Sequence, residues 1–157
     1  MKSIFILTLG VLLINLKCYS DSIHTNEIFS IKPPTLRQSD EGLALVFYSP
    51  SGGKFSPNVN VLIQSFDGTM EEYYEKSRDQ IKALKFQTIK SSFENNQAYF
   101  EYIGKLENNQ MHFYQKYVKN GKKLYVVTAT ILEIDWENKK TELIKSVNSF
   151  NLNKKSE

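Results

Sequence analysis

Cysteine is almost missing from this 157-residue chain: the single one, Cys18, stands at the end of an apolar start and none follows it. No intramolecular disulfide can form, so the fold must rest on its hydrophobic core alone. Histidine is nearly as scarce, with His24 and His112 only. A metal site needs several convergent ligands, and a lone core histidine without cysteine partners does not supply them, so no metal is expected. Arginine occurs only at Arg37 and Arg78, which leaves little to build forked phosphate contacts. No apolar run reaches the roughly 20 residues that cross a bilayer. There is no G-x-S-x-G turn, and no nucleophile, histidine and carboxylate present themselves as a set. Ser51-Gly52-Gly53-Lys54 lacks the spacing and the following helix of a phosphate loop and reads as a flexible hairpin. No cofactor is implied.

What is present is ordinary globular composition, 41% hydrophobic and 24% charged, in a length suited to one domain. Nine Tyr and ten Phe favour strands, where aromatic side chains pack best. The formal charge of +3 falls to +1 without Lys2 and Lys17, since 18 basic residues then face 17 acidic ones. That balance argues against a nucleic-acid partner, which selects a basic face.

Residues 1–20 have the three parts of a secretory signal: Lys2, an apolar run from Ile4 to Leu16, and small residues near a cut. Two processing routes are open. Cleavage after Cys18-Tyr19-Ser20 releases a soluble protein at Asp21, whereas acylation of Cys18 tethers a lipoprotein, although Asn15 and Lys17 are poor residues before a lipidated cysteine. An uncleaved leader would leave an anchor. Membrane contact is expected only through a lipid on Cys18 or through such a leader; otherwise the expected location is periplasmic or secreted.

The body is read as a lead-in at 21–26, a domain at 27–152 and a frayed tail at 153–157. Glu27–Ile31 is a short strand stopped by Pro33-Pro34. Leu43–Tyr48 is a continuous apolar run, the pattern of a strand buried on both faces. Phe55–Phe66 is a strand with Val59, Val61 and Ile63 on one face. Asn58 and Asn60 alternate with them; their plainer role is bonding local main chain at a strand edge rather than a ligand. Thr69-Met70-Glu71-Glu72 is a capping box. It opens a helix whose inward face is Met70, Tyr73, Tyr74, Ser77, Ile81 and Leu84. The carboxylates of that helix, Glu71, Glu72, Glu75 and Asp79, read as its solvated side rather than as an acid and base pair. Phe86–Phe93 is a polar edge strand with Phe86, Thr88 and Lys90 on one side.

Gln97–Leu106, Gln110–Val118 and Lys122–Leu132 form an antiparallel meander, with Asn120-Gly121 as a type I′ turn. The last of these strands is central. Both faces of the first are apolar, so the sheet needs cover on both sides. Asp135 is placed to cap a final helix with Trp136, Leu143, Ile144, Val147 and Phe150 facing in. His112 is expected to be a satisfied structural or surface histidine. The alternative expectation is a small-ligand carrier or an enzyme with its pocket near Tyr99, His112 and Tyr114.

With this order of elements, the chain resembles the Mog1/PsbP superfamily, and within it small exported bacterial PsbP-like proteins of unassigned function. The resemblance spans roughly 27–152. It is carried by Phe29-Ser30-Ile31-Lys32-Pro33, by Phe55-Ser56-Pro57-Asn58-Val59-Asn60-Val61, by Leu124–Thr130, and by Trp136–Phe150 ending in Ser149-Phe150-Asn151-Leu152. It implies an α+β fold, an α/β/α sandwich around a mainly antiparallel sheet of six or seven strands. Members of the superfamily include photosystem II subunits, a Ran-binding protein and bacterial envelope proteins, so the implied role is binding without catalysis, to an envelope protein or lipid. No set of functional residues is carried over.

Overall fold

The computed structural model describes residues 24–25, 30–31, 41–48 and 55–152. The leader with Cys18, the proline pair, Ser51-Gly52-Gly53-Lys54 and the tail lie outside the described residues. His24 and Thr25, assigned to the lead-in from sequence, form strand β1 (His24–Thr25), which pairs with β2 (Ser30–Ile31).

The main sheet has six antiparallel strands: β3 (Gly42–Tyr48), β4 (Asn58–Ser65), β5 (Gln87–Glu94), β6 (Gln97–Leu106), β7 (Asn109–Asn120) and β8 (Lys123–Leu132). Their order is β3-β4-β8-β7-β6-β5. The β-prone run of β8 is therefore central, as its composition requires. α1 (Met70–Ala83) packs on one face and α2 (Trp136–Asn148), preceded by a 3-10 turn at Glu133–Asp135, on the other. This is an α+β fold of three layers, α/β/α.

The pleat sorts each strand between two cores. On the α1 side Phe100, Tyr102, Met111, Phe113, Tyr117, Leu124 and Val126 meet Met70, Tyr73 and Ile81. On the α2 side Val59, Val61, Val127, Ala129 and Ile131 meet Trp136, Leu143 and Val147. Alternation of side chains along a strand produces both layers from the same residues' period of two. The helices are offset: α1 touches β5 and β6, while α2 touches β8, β7 and β4.

α1 starts as its sequence demands. The Thr69 side chain accepts from the Glu72 amide at 3.1 Å, and the Glu72 carboxylate accepts from the Thr69 amide at 2.9 Å.

Several expectations are corrected. β3 is apolar but lies at the sheet edge, with Ala44 and Phe47 exposed, Phe47 at 58%. β4, carrying Asn58 and Asn60, is not an edge, because it lies between β3 and β8. The two asparagines do bond locally: the Asn60 amide donates to Asn58 and the Asn58 amide to the Ser56 carbonyl, each at 3.4 Å. Leu84 caps the end of α1 and is exposed rather than inward. In β5 the register slips between Thr88 and Lys90, so Thr88 opposes Tyr102 while Lys90 opposes Glu101 on the other face. The turn after β7 has Gly121 and Lys122 at its centre, since Asn120 pairs with Lys123, and only Gly121 takes positive φ, at 57°. Glycine first is the II′ pattern. The I′ pattern falls instead at Asn95-Asn96, with φ of 51° and 61°. Asp135 precedes α2 without a side-chain capping bond.

Candidate functional site

Because α2 lies over β8, β7 and β4, no helix among the described residues covers the β6 and β5 end of that face. A groove of about 390 Å³ opens there. The register builds it: Lys90 on β5 opposes Glu101 on β6, which opposes Tyr114 on β7, and Ser92 opposes Tyr99, which opposes Lys116. Lys90, Ser92, Tyr99, Glu101 and Tyr114 line the groove, and Ile144 and Asn148 of α2 form its wall.

The two tyrosine rings stand 6.5 Å apart at 41°, a corner rather than a stack. Each hydroxyl is aimed by a hydrogen bond. Tyr99 donates to Gln97 at 3.0 Å, and Tyr114 donates to the Asn148 side chain at 3.3 Å. Burial pushes the Tyr114 phenol up from its ordinary value, offset in part by the Asn148 bond. Beneath Tyr99, Lys116 is buried and donates to the carbonyls of Phe150 at 3.0 Å and Asn148 at 3.4 Å. It closes the end of α2, where a cation suits the helix dipole. Its ammonium lies 6.0 Å from the Tyr99 ring centroid, and burial lowers it from its ordinary value.

His112 shares this face of the sheet but does not line the groove. It is 1% exposed, and Trp136 covers its ring at 3.7 Å and 14°. Its Nδ1 lies 2.6 Å from the Glu133 carboxylate and its Nε2 3.1 Å from that of Glu101. The structure thus brings Tyr99 and Tyr114 together in the groove and sets His112 behind Glu101. The carboxylates sit at opposite ends of the imidazole, so the three groups cannot converge on one metal ion. No group of three or more His, Cys, Asp or Glu suited to a metal occurs among the described residues.

Sequence reasoning missed Glu101, Glu133 and Lys116. The signal for two of them was legible: Glu101 and Lys116 break the aromatic alternation of their strands on the same face as Tyr99 and Tyr114. Glu133 carries no such mark, because it stands in a turn.

The chemistry assembled here is that of a shallow mixed site, with two phenols, one carboxylate, an exposed ammonium and an aliphatic wall. The fold that presents it is an α/β/α sandwich. A chain of the same fold is PA94 from Pseudomonas aeruginosa, a protein of unknown function, with a TM-score of 0.64 and 12% identity over 85% of this chain and 97% of that one. Cyanobacterial PsbP, CyanoP, from Synechocystis sp. PCC 6803 is also similar, with a TM-score of 0.46 and 16% identity over 69% of this chain and 82% of that one. No protein-family profile matches the chain, and no curated protein does. Among the described residues no helix is long and apolar enough to cross a membrane.

Proposed function

We propose that this chain is a non-catalytic binding domain of the Mog1/PsbP superfamily, exported to the cell envelope, which engages an envelope protein through the groove beside α2. The observation that supports this is the half of the α2-side face that the described residues leave open, where rings and groups of both charges reach solvent and, among the described residues, no nucleophile and base are aligned. The apolar start at Ile4–Leu16 supports export. A photo-crosslinking residue in place of Ser92, introduced in the native host, tests the contact. The expected result is one recurrent envelope adduct, absent when the same residue replaces Glu71 on the solvated side of α1. Equal labelling from both positions, or none from Ser92, overturns it. Intact mass from the same cells tests export: the expected product starts at Asp21 or carries an acylated Cys18, and an unprocessed cytosolic chain refutes it.

A second reading is favoured by the groove's size, which lies at the small end of the range of clefts that hold small molecules, about 300–1,000 Å³. In that reading Tyr99, Tyr114 and Asn148 hold a carried ligand. Native mass spectrometry of the purified protein separates the two, since a carrier retains a discrete added mass that Tyr99→Ala loses.

A further inference from the structure

Both nitrogens of the buried His112 face carboxylates, and a neutral imidazole has only one N–H to give. Two hydrogen bonds therefore form together only while the ring is doubly protonated or one carboxyl carries a proton. Trp136 lies parallel to the ring at 3.7 Å and covers it. When the ring is neutral, one nitrogen turns a lone pair toward a carboxylate. The contact of Nδ1 with Glu133 is the shorter, 2.6 Å against 3.1 Å for Nε2 with Glu101. Glu101 is the carboxylate that lines the groove, and Lys90 stands opposite it on β5.

We infer that Glu101, His112 and Glu133 form a proton-operated latch: protonated His112 holds Glu101 against the groove base, and loss of the proton frees that carboxylate to turn toward Lys90. The inference rests on the groove being the working surface, and it makes the charge offered there depend on pH. Among the described residues the groups around the latch are few. β6 contributes Glu101, and β5 contributes Lys90 across from it. Tyr114 and Lys116 follow His112 on its own face of β7, while β8 contributes uncharged Ile131 directly opposite. The turn before α2 adds Glu133 and the exposed Asp135, and α2 begins with Trp136 and Glu137. Glu137 is paired with Lys140, and Lys139 with Glu142, so both lysines have partners of their own. Glu101 is a fifth exposed and Glu133 about a third, so the latch reaches solvent through its carboxylates while the imidazole does not.

The chain contains one tryptophan and two histidines, which makes the test direct. The full chain, without added ligand, is titrated while Trp136 emission, the ring nitrogen signals of His112 and the amide shifts of Tyr99, Glu101 and Tyr114 are followed. A single-proton transition common to all of them is expected, with Trp136 emission lost on the acid side. On the alkaline side the Nδ1–H tautomer is expected, with Nε2 bare. His24→Gln should leave this transition unchanged. Glu101→Gln is the decisive variant: its amide donates to the bare Nε2, so the His112 transition persists while the shifts of Tyr99 and Tyr114 no longer follow it. One neutral tautomer at all pH values, or groove shifts that ignore His112 in the unaltered chain, overturns the latch. So does Glu101→Gln that keeps the groove response. Since no ligand enters these measurements, their failure leaves the groove's role to the crosslinking result, and the reverse also holds.

Discussion

Raising the pH should unfold this protein through three phenols buried beneath α1. Tyr73, Tyr102 and Tyr117 meet there, and burial raises all three from an ordinary value of 10.0: Tyr73 to about 12, Tyr102 further, and Tyr117 well above the ordinary value. A raised value means that the native state keeps its proton after the unfolded chain has lost it. Stability is thus complete below 10.0 and falls as the pH climbs toward the folded values. Each phenol removes about 1.4 kcal/mol per pH unit, so Tyr73 alone removes about 2 kcal/mol by pH 12 and little more above it. Together they remove about 4 kcal/mol per unit at first, against a typical domain stability of about 5–15 kcal/mol, so a fold at the lower end of that range should be lost from roughly pH 11 upward. Lys116 acts in the opposite sense. Held below its ordinary value of 10.5, it sheds its proton first in the native state, so its contribution to stability rises with pH and offsets a small part of the phenols' loss. Urea unfolding midpoints across the alkaline range, with tyrosinate absorbance alongside, measure the slope. Tyr102→Phe should cut that slope to about two thirds. Because the Tyr102 hydroxyl has no hydrogen-bond partner among the described residues, the change should also leave neutral-pH stability unchanged or raise it by about 1 kcal/mol. Tyrosinate formation by Tyr73, Tyr102 and Tyr117 near pH 10 in a still folded chain would refute the reasoning.

Three further outcomes test particular contacts. Thr69→Ala removes the acceptor for the Glu72 amide and should cost about 1 kcal/mol in chemical denaturation. Gly104→Ala puts a methyl group into the Phe86 ring, which packs against Tyr102 and Phe113, and should cost about 1–3 kcal/mol with loss of thermal stability. Gly121→Ala meets no neighbour, so its cost is that of positive φ alone, at least about 1–2 kcal/mol; no loss by the same measurement would mean that the turn does not hold residue 121 at positive φ.

The elements whose signals are local were readable in the chain. The Thr69 box closes within four residues, and the strand periods of 97–132 set faces by backbone geometry alone, so both appear as expected. What failed depended on neighbours that the chain does not name. Leu43–Tyr48 is apolar enough for a buried strand, but lateral order is decided by which strand pairs with β4, and that put β3 at the edge. Asn120-Gly121 is the favoured I′ pair, yet register with β8 moved the turn by one residue. Asp135 follows a capping preference, but the 3-10 turn ahead of α2 gives it helical dihedrals and no capping bond. The groove was half legible: Tyr99 and Tyr114 were named from alternation, whereas Glu133, 21 residues from His112, meets it only after the chain turns into α2.

The offset of the two helices explains why the latch and the groove are neighbours. A six-stranded sheet is too wide for one helix of 13 or 14 residues, so each helix covers part of its face. α1 takes the β5 and β6 end on its side, and α2 takes the centre and the β4 side on the other. Polar side chains directly under α2 would lose water, and only those with partners persist there: His112 between two carboxylates, Lys116 on the helix's last carbonyls. One strand further out the cover ends. Glu101 stands on that boundary, with one oxygen on the buried imidazole and its side chain at the groove. Of the two carboxylates on His112, Glu101 is the one that lines the groove, so through it the protonation of a dry histidine can alter that surface. For that reason Glu101→Gln, more than any change at His112 itself, separates a latch from a buried polar cluster that serves only to hold α2 in place.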